Sequence, residues 1–217
     1  MSGVLTLLMV VVGAVLVAYL LGSIPTGYLA GKFFRGIDIR EHGSKSTGAT
    51  NALRVLGKGP ALLVLVVDVG KGAAAVLFAS WLVPRLGSGV PEVETFRHWT
   101  ICLAGLAALF GHARPVWLGF FGGKSAATGL GVLLALSWPV GLGAAAVFGL
   151  VLAVSRIVSL SSMLAALTAI VLVFALPHPL PYQLLVLAGA AYVIVRHRAN
   201  IARLRNGTEP RLGQASR

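Results

Sequence analysis

An all-α, polytopic membrane protein of about seven short transmembrane helices is the fold that this 217-residue sequence predicts, and three observations carry it. Residues of the AVILMFWYC set make up 57% of the chain and charged residues only 11%, with a mean hydropathy of +0.90, whereas a water-soluble domain carries about a quarter of its residues as charges. The charges are crowded into short stretches between long apolar runs. The first of those runs, Val4 to Ile24, makes ~31 Å of helix, which matches a hydrocarbon core of ~30 Å. A secreted disulfide-stapled chain and a disordered chain are both excluded by this balance.

The elements follow in order. Val4 to Ile24 has no Lys or Arg before it and lacks a small-residue cleavage site, so it reads as a retained span. Apolar runs recur at Pro60 to Val83, Trp99 to Gly111, Ala126 to Val154, Leu160 to Leu176 and Tyr182 to Val195. The Ala126 to Val154 run carries Ser137, Trp138 and Pro139 at its middle. Proline there predicts a break, and therefore two short passes or a bent hairpin. No internal repeat and no linker is visible, so residues 1–217 read as one membrane domain.

Loop charge sets the expected orientation. Pro25 to Gly59 holds six cations (Lys32, Arg35, Arg40, Lys45, Arg54, Lys58) and the tail from Arg196 holds six more. The Val83 to His98 loop has only Arg85 and Arg97, offset by Glu92 and Glu94. Basic loops collect on the cytoplasmic side. The N-terminus is therefore expected outside, the C-terminus cytoplasmic, and the number of crossings odd, with six helices as the fallback. The net charge of +12 forms no basic domain or stripe, so anionic lipid or phosphate is the expected partner and nucleic acid is not.

Three polar segments carry the chemistry. In Gly43 to Pro60, Gly43, Ser44, Gly48 and Thr50 precede Asn51 and Arg54. Bare backbone N–H groups, hydroxyls and a guanidinium suit phosphate oxygens. With Ala49 to Leu56 helical, Asn51 and Arg54 share a face. In Gly111 to Gly131, Gly122 and Gly123 stand before Lys124 and a helix start, an anion cradle that also reads as a positive-inside lysine capping a span. His112 reads as a catalytic base or as an interfacial histidine packed beside Trp117, the structural role being favoured. In Arg196 to Pro210, His197 and Asn200 lie three apart on one face, Arg203 and Arg205 suit headgroup contacts, and Asn206–Gly207 suits a helix stop. Asp68 and Lys71 lie deep in the second run, where an ionisable pair is a functional candidate, although at this spacing the two also neutralise each other. Arg156 with Ser159, Ser161 and Ser162 adds a polar rim.

HEXXH, a Cys/His cluster, GXSXG and an HX4D acyltransferase signature are all absent from the sequence, and the lone Cys102 has no partner. Paired carboxylates are missing from the three segments, so the site is read as basic or neutral, without metal or cofactor. Together GSIPTGYLAGK, GATNALRVLGKGPA, DVGKG, GHARPVWLGFFGGK and NIARLRNGTEP resemble the bacterial glycerol-3-phosphate acyltransferase family that uses acyl phosphate and not a thioester such as acyl-CoA. The resemblance runs from about Leu21 to Gly213. It departs at Lys45 and Ser46, where the family has GSGN, and at Ser125, where it has GGKG.

The resemblance implies an integral bacterial plasma-membrane enzyme; loop charge puts its site on the cytoplasmic side, and the multi-pass chain is expected to be metal-independent and monomeric. It implies transfer of the acyl group to the sn-1 hydroxyl of glycerol 3-phosphate, giving 1-acyl-glycerol-3-phosphate (lysophosphatidate) and orthophosphate, the first step of phospholipid synthesis. Ser44, Arg54, Lys124, His197 and Asn200 match the family's catalytic and substrate-binding positions. Gly43, Gly48, Thr50, Asn51, Gly122 and Gly123 complete the phosphate-binding set read from the loops. The alternative is a membrane transporter of a phosphorylated solute, since short broken helices and basic loops serve transport too.

Overall fold

The computed structural model describes residues 3–213, and those residues form helices, turns and loops. Arg217, one of the tail cations, lies outside the described residues. Apolar helices occupy every run read from the sequence: α1 (Gly3–Ser23), then, after two short helices α2 (Thr26–Arg35) and α3 (Ala49–Val55), α4 (Lys58–Leu86). There follow α5 (Pro91–Thr95), α6 (Arg97–Ala113), α7 (Ala126–Leu136), α8 (Trp138–Ser155), α9 (Val158–Ala175), α10 (Leu180–Arg196) and α11 (Arg198–Arg205). Among the described residues five helices are long and apolar enough to cross a membrane, or six when α10 and α11, bent by 58° at His197, count as one span. The eleven residues of α7 fall short of that measure, reaching ~16 Å at helical rise. All seven expected apolar runs are helical, but among the described residues five to six qualify as membrane spans, fewer than the seven transmembrane helices expected.

The break at Ser137 is confirmed. Ser137 is extended between α7 and α8, and Gly141 comes back against the backbone of Leu134, where an added Cβ would lie 2.8 Å from Cα. In one continuous helix these residues would stand ~10 Å apart. Pro25 to Gly59 departs from the loop expected. It contains α2, whose last turn carries Lys32 and Arg35, and a 3₁₀ turn at Ile39–Glu41. Arg40 pairs with Asp38 at 2.7 Å and donates to the Leu118 carbonyl at 3.1 Å.

Small residues set the packing. Ala14, Ala18, Ala104 and Ala108 are buried in one cluster with Ala75, Ala79 and Leu109, letting α1, α4 and α6 approach closely, as membrane helices do where dispersion drives association. Between α4 and α7 the approach is tighter still: a side chain at Gly72 would strike the Thr128 carbonyl and one at Gly131 the Val69 carbonyl. A second cluster, with Val140, Ala144, Ala169, Val173 and Val186, joins α8, α9 and α10. A third, with Ile39, Ala52, Leu56 and Val64, seats α3 on α4.

Candidate active site

One cavity of about 340 Å³ receives side chains from all three polar segments. Ser44, Arg54, Lys124, His197 and Asn200 line it together, with Gly48, Thr50 and Asn51. Gly43, Gly122 and Gly123 are not in its wall. Beyond this polar mouth the lining turns apolar, through Leu133, Phe148, Ala169, Val186 and Val193. A charged, hydroxylic entrance therefore opens into a slot able to take hydrocarbon.

The first loop is built by Asn51, which is 1% exposed. Its Oδ1 accepts from the Ser44 N–H at 2.8 Å. Its Nδ2 donates to the carbonyls of Ile39 and His42 at 3.1 Å and of Ser46 at 2.8 Å. With its amide engaged in this way, Asn51 shapes the loop and has little capacity left for a ligand, which revises its place in the phosphate-binding set. Gly43 has φ +58°, and a side chain there would strike Asn51 Oδ1. Arg54, one helical turn on, is exposed and has no hydrogen-bond or ion-pair partner among the described residues.

Gly122 and Gly123 act by close approach. A side chain on Gly122 would overlap the His112 carbonyl, and one on Gly123 would overlap the His112 ring. Gly123 N–H donates to His112 O at 3.1 Å, and Arg196 Nη2 donates to Gly123 O at 2.9 Å. Lys124 Nζ then reaches Asn200 Oδ1 at 2.5 Å. Burial lowers the Lys124 pKa from 10.5 to about 8; Arg203, Arg54 and Arg196 push the same way and Glu209 opposes them.

Glu209 is the residue the sequence reading missed. It lines the cavity at 8% exposure and accepts from Ser159 Oγ at 2.6 Å, Asn200 Nδ2 at 2.5 Å and Arg203 Nε at 2.7 Å. Burial raises its pKa, but these hydrogen bonds and the Arg203 charge outweigh burial and hold the carboxyl below its usual range. The site therefore contains ionised carboxylate, contrary to the basic or neutral reading, and Arg203 is paired with it through Nε. His197 sits at the α10–α11 bend with Nδ1 at 2.7 Å from the Val193 carbonyl, an arrangement in which Nδ1–H donates and Nε2 is left as acceptor. Ser159 and Ser162 join the wall, whereas Arg156 does not.

Asp68 and Lys71 form an ion pair at 2.8 Å with side chains 1% and 3% exposed. His112 turns towards Asp68, with Nδ1 at 3.5 Å from Oδ1, and is buried, while Trp117 is 62% exposed. The histidine thus belongs to the interior and not to an aromatic interface. Among the described residues no group of three or more His, Cys, Asp or Glu side chains gathers as a metal site.

The family profile described as glycerol-3-phosphate acyltransferase matches residues 12–207. The chain is 66% identical over 207 residues to glycerol-3-phosphate acyltransferase 2 of Rhizobium johnstonii, covering 92% of this chain and 94% of that protein. It is 56% identical over 204 residues to the glycerol-3-phosphate acyltransferase of Acaryochloris marina, covering 92% and 91%. The chain belongs to the glycerol-3-phosphate acyltransferase family. It superposes on the crystal structure of PlsY (YgiH), an integral membrane glycerol 3-phosphate acyltransferase, in the glycerol 3-phosphate form, with TM-score 0.83, 38% identity and coverage of 94% and 96%. The lysophosphatidic acid form gives TM-score 0.81 and 37% identity, covering 94% and 95%. The protein is thus an integral, multi-pass membrane enzyme of phospholipid synthesis that acylates glycerol 3-phosphate to lysophosphatidate, and membership decides against transport.

Both departures from the family's glycine pattern fall where the backbone is left-handed: Lys45 has φ +56° and Ser125 has φ +63°. Such φ values are unstrained for glycine and cost other residues roughly 1–2 kcal/mol. Ser125 gains a compensating bond, its Oγ donating to Leu109 O at 2.6 Å in a fully buried setting. Lys45 is exposed, and the hydrogen bond from its N–H to the His42 carbonyl at 3.0 Å is one that a glycine would keep.

Proposed function

We propose that this acyltransferase takes its acyl group from acyl phosphate and transfers it to the sn-1 hydroxyl of glycerol 3-phosphate. The observation that carries the reading is the continuity of a cationic mouth with an apolar slot in one cavity. Arg54, Lys124, His197 and Asn200 bind the glycerol 3-phosphate, and Ser44 with the glycine-bearing first loop holds the acyl-phosphate head. The PlsY structures of this fold, described as glycerol 3-phosphate and lysophosphatidic acid forms, support the same pair of ligands here. The acyl chain lies among Leu133, Ala169 and Val186.

The substrate hydroxyl oxygen attacks the acyl carbon, the bond from that carbon to the phosphate oxygen breaks, and phosphate leaves with the electron pair. The hydroxyl proton passes to the phosphate. An acyl phosphate is already activated, so the protein contributes alignment and charge neutralisation in place of a covalent nucleophile. Loop charge supports a plasma-membrane orientation with the N-terminus outside, the C-terminus and the site cytoplasmic, and α7 as a short crossing paired with α8. The chain works as one domain and as a monomer, without metal or cofactor.

The test offers palmitoyl phosphate, palmitoyl-CoA and palmitoyl acyl carrier protein separately to purified enzyme with glycerol 3-phosphate. Lysophosphatidate with equimolar orthophosphate from palmitoyl phosphate alone is expected. Product from either thioester at a comparable rate would overturn the donor assignment.

A further inference from the structure

We infer that Asp68 and His112 are positioning residues for glycerol 3-phosphate: the carboxylate fixes the imidazole, and the imidazole braces the Gly122–Lys124 loop that carries the lysine ammonium into the site. The inference rests on the reading of Lys124 as a contact to that substrate.

The contacts form a chain across four elements. Lys71 Nζ donates to the Ile24 carbonyl at 2.9 Å, at the junction of α1 and α2, and pairs with Asp68 at 2.8 Å on α4. Asp68 Oδ1 faces His112 Nδ1 at 3.5 Å. His112 occupies the last turn of α6, where carbonyls lack intrahelical partners, and its carbonyl takes the Gly123 N–H at 3.1 Å. Its Nε2 edge lies so close to Gly123 that no Cβ fits between them. Gly123 O is held from the other side by Arg196 at 2.9 Å, so the residue before Lys124 is gripped at both ends of its backbone.

The Nε2 edge is therefore occupied by the loop, which argues against His112 as the base that takes the substrate proton. The energetics point the same way. Two charges buried in a span are costly to desolvate, and an apolar pair of similar volume holds two helices at least as well. Asp68 and Lys71 make sense as a fixed anchor for the ring. A ring free to turn about its side-chain torsions would let Gly123 shift, and a displacement of ~1 Å at a charged contact is enough to lose much of it.

The test measures both Michaelis constants in purified His112→Phe, Asp68→Asn and the double variant, with Lys124→Ala in parallel. His112→Phe should raise KM for glycerol 3-phosphate about tenfold while leaving KM for palmitoyl phosphate within twofold and kcat at saturation within about threefold. Asp68→Asn should move the same constant in the same direction, and the double variant should be no worse than His112→Phe alone, because the two act through one contact. A fall in kcat with both KM values unchanged would mean a merely structural role and would overturn the inference, as would additive effects. If the span variants do not fold, Gly123→Ala, which presses a methyl on the ring from a loop outside the spans, should raise the same KM; an unchanged KM there refutes the brace. If Lys124→Ala itself leaves KM for glycerol 3-phosphate unchanged, the underlying assignment of Lys124 has failed instead.

Discussion

The two loops that frame the cavity mouth are organised in opposite ways. Gly43 to Arg54 is held from within: Asn51 alone ties together Ile39, His42, Ser44 and Ser46, all within twelve positions of it. Gly122 to Lys124 is held from outside, by His112 on α6, by Arg196 on α10, and by Asn200 and through it Glu209 in the tail. A loop organised locally fails through one residue. A loop organised at long range spreads its dependence over residues on several separate helices and the tail.

The largest effect expected is at the long-range loop's own cation. Lys124→Ala removes a charge-assisted contact to phosphate, roughly 1.5–3 kcal/mol, so turnover at fixed glycerol 3-phosphate should fall on the order of a hundredfold. The variant should still insert in the membrane, which detergent extraction and size-exclusion chromatography check. Next comes Asn51→Ala, which deletes the four hydrogen bonds of the local loop and should lower kcat/KM about thirtyfold. If Asn51→Ala keeps full activity, the idea of a loop hung on one residue is broken.

A smaller effect concerns pH. The Lys124 pKa of about 8 lies below its unperturbed value, so the ammonium is present below pH 8 and is lost as pH rises through it. KM for glycerol 3-phosphate should therefore climb above pH 8 and stay level just below it. Glu209→Gln removes the charge that opposes the shift and should move the inflection to lower pH, whereas Lys124→Arg should abolish it. The smallest effects separate two left-handed residues. Lys45→Gly should raise stability by about 1 kcal/mol by releasing strain at an exposed site. Ser125→Gly should change it little, because the same release is offset by loss of the bond to Leu109 O. Thermal unfolding in detergent measures both.

What was legible in the sequence follows the same division. Apolar runs announced every long helix, and Pro139 with Ser137 announced the reversal between α7 and α8, because burial in lipid writes itself in composition. Ser44, Arg54, Lys124, His197 and Asn200 were legible as polar groups beside glycines and helix ends. α2 was hidden because Lys32 and Arg35 made Pro25 to Gly59 look like a solvated loop. Glu209 was hidden because its partner Ser159 is fifty positions away, and a lone carboxylate past a helix stop looks like tail. His112 was read beside Trp117, its neighbour in sequence, when its partner is Asp68, 44 positions earlier. Lys45 and Ser125 give no sign of left-handed backbone beyond standing where the family carries glycine.

Calorimetric titration of glycerol 3-phosphate into the detergent-solubilised enzyme tests the central claim, that Arg54 from the first loop and Lys124 from the second grip one phosphorylated substrate in one cavity. The account predicts a single site in the wild type, weakened at least tenfold by Lys124→Ala and by Arg54→Ala alike. Undiminished affinity in either variant would contradict it.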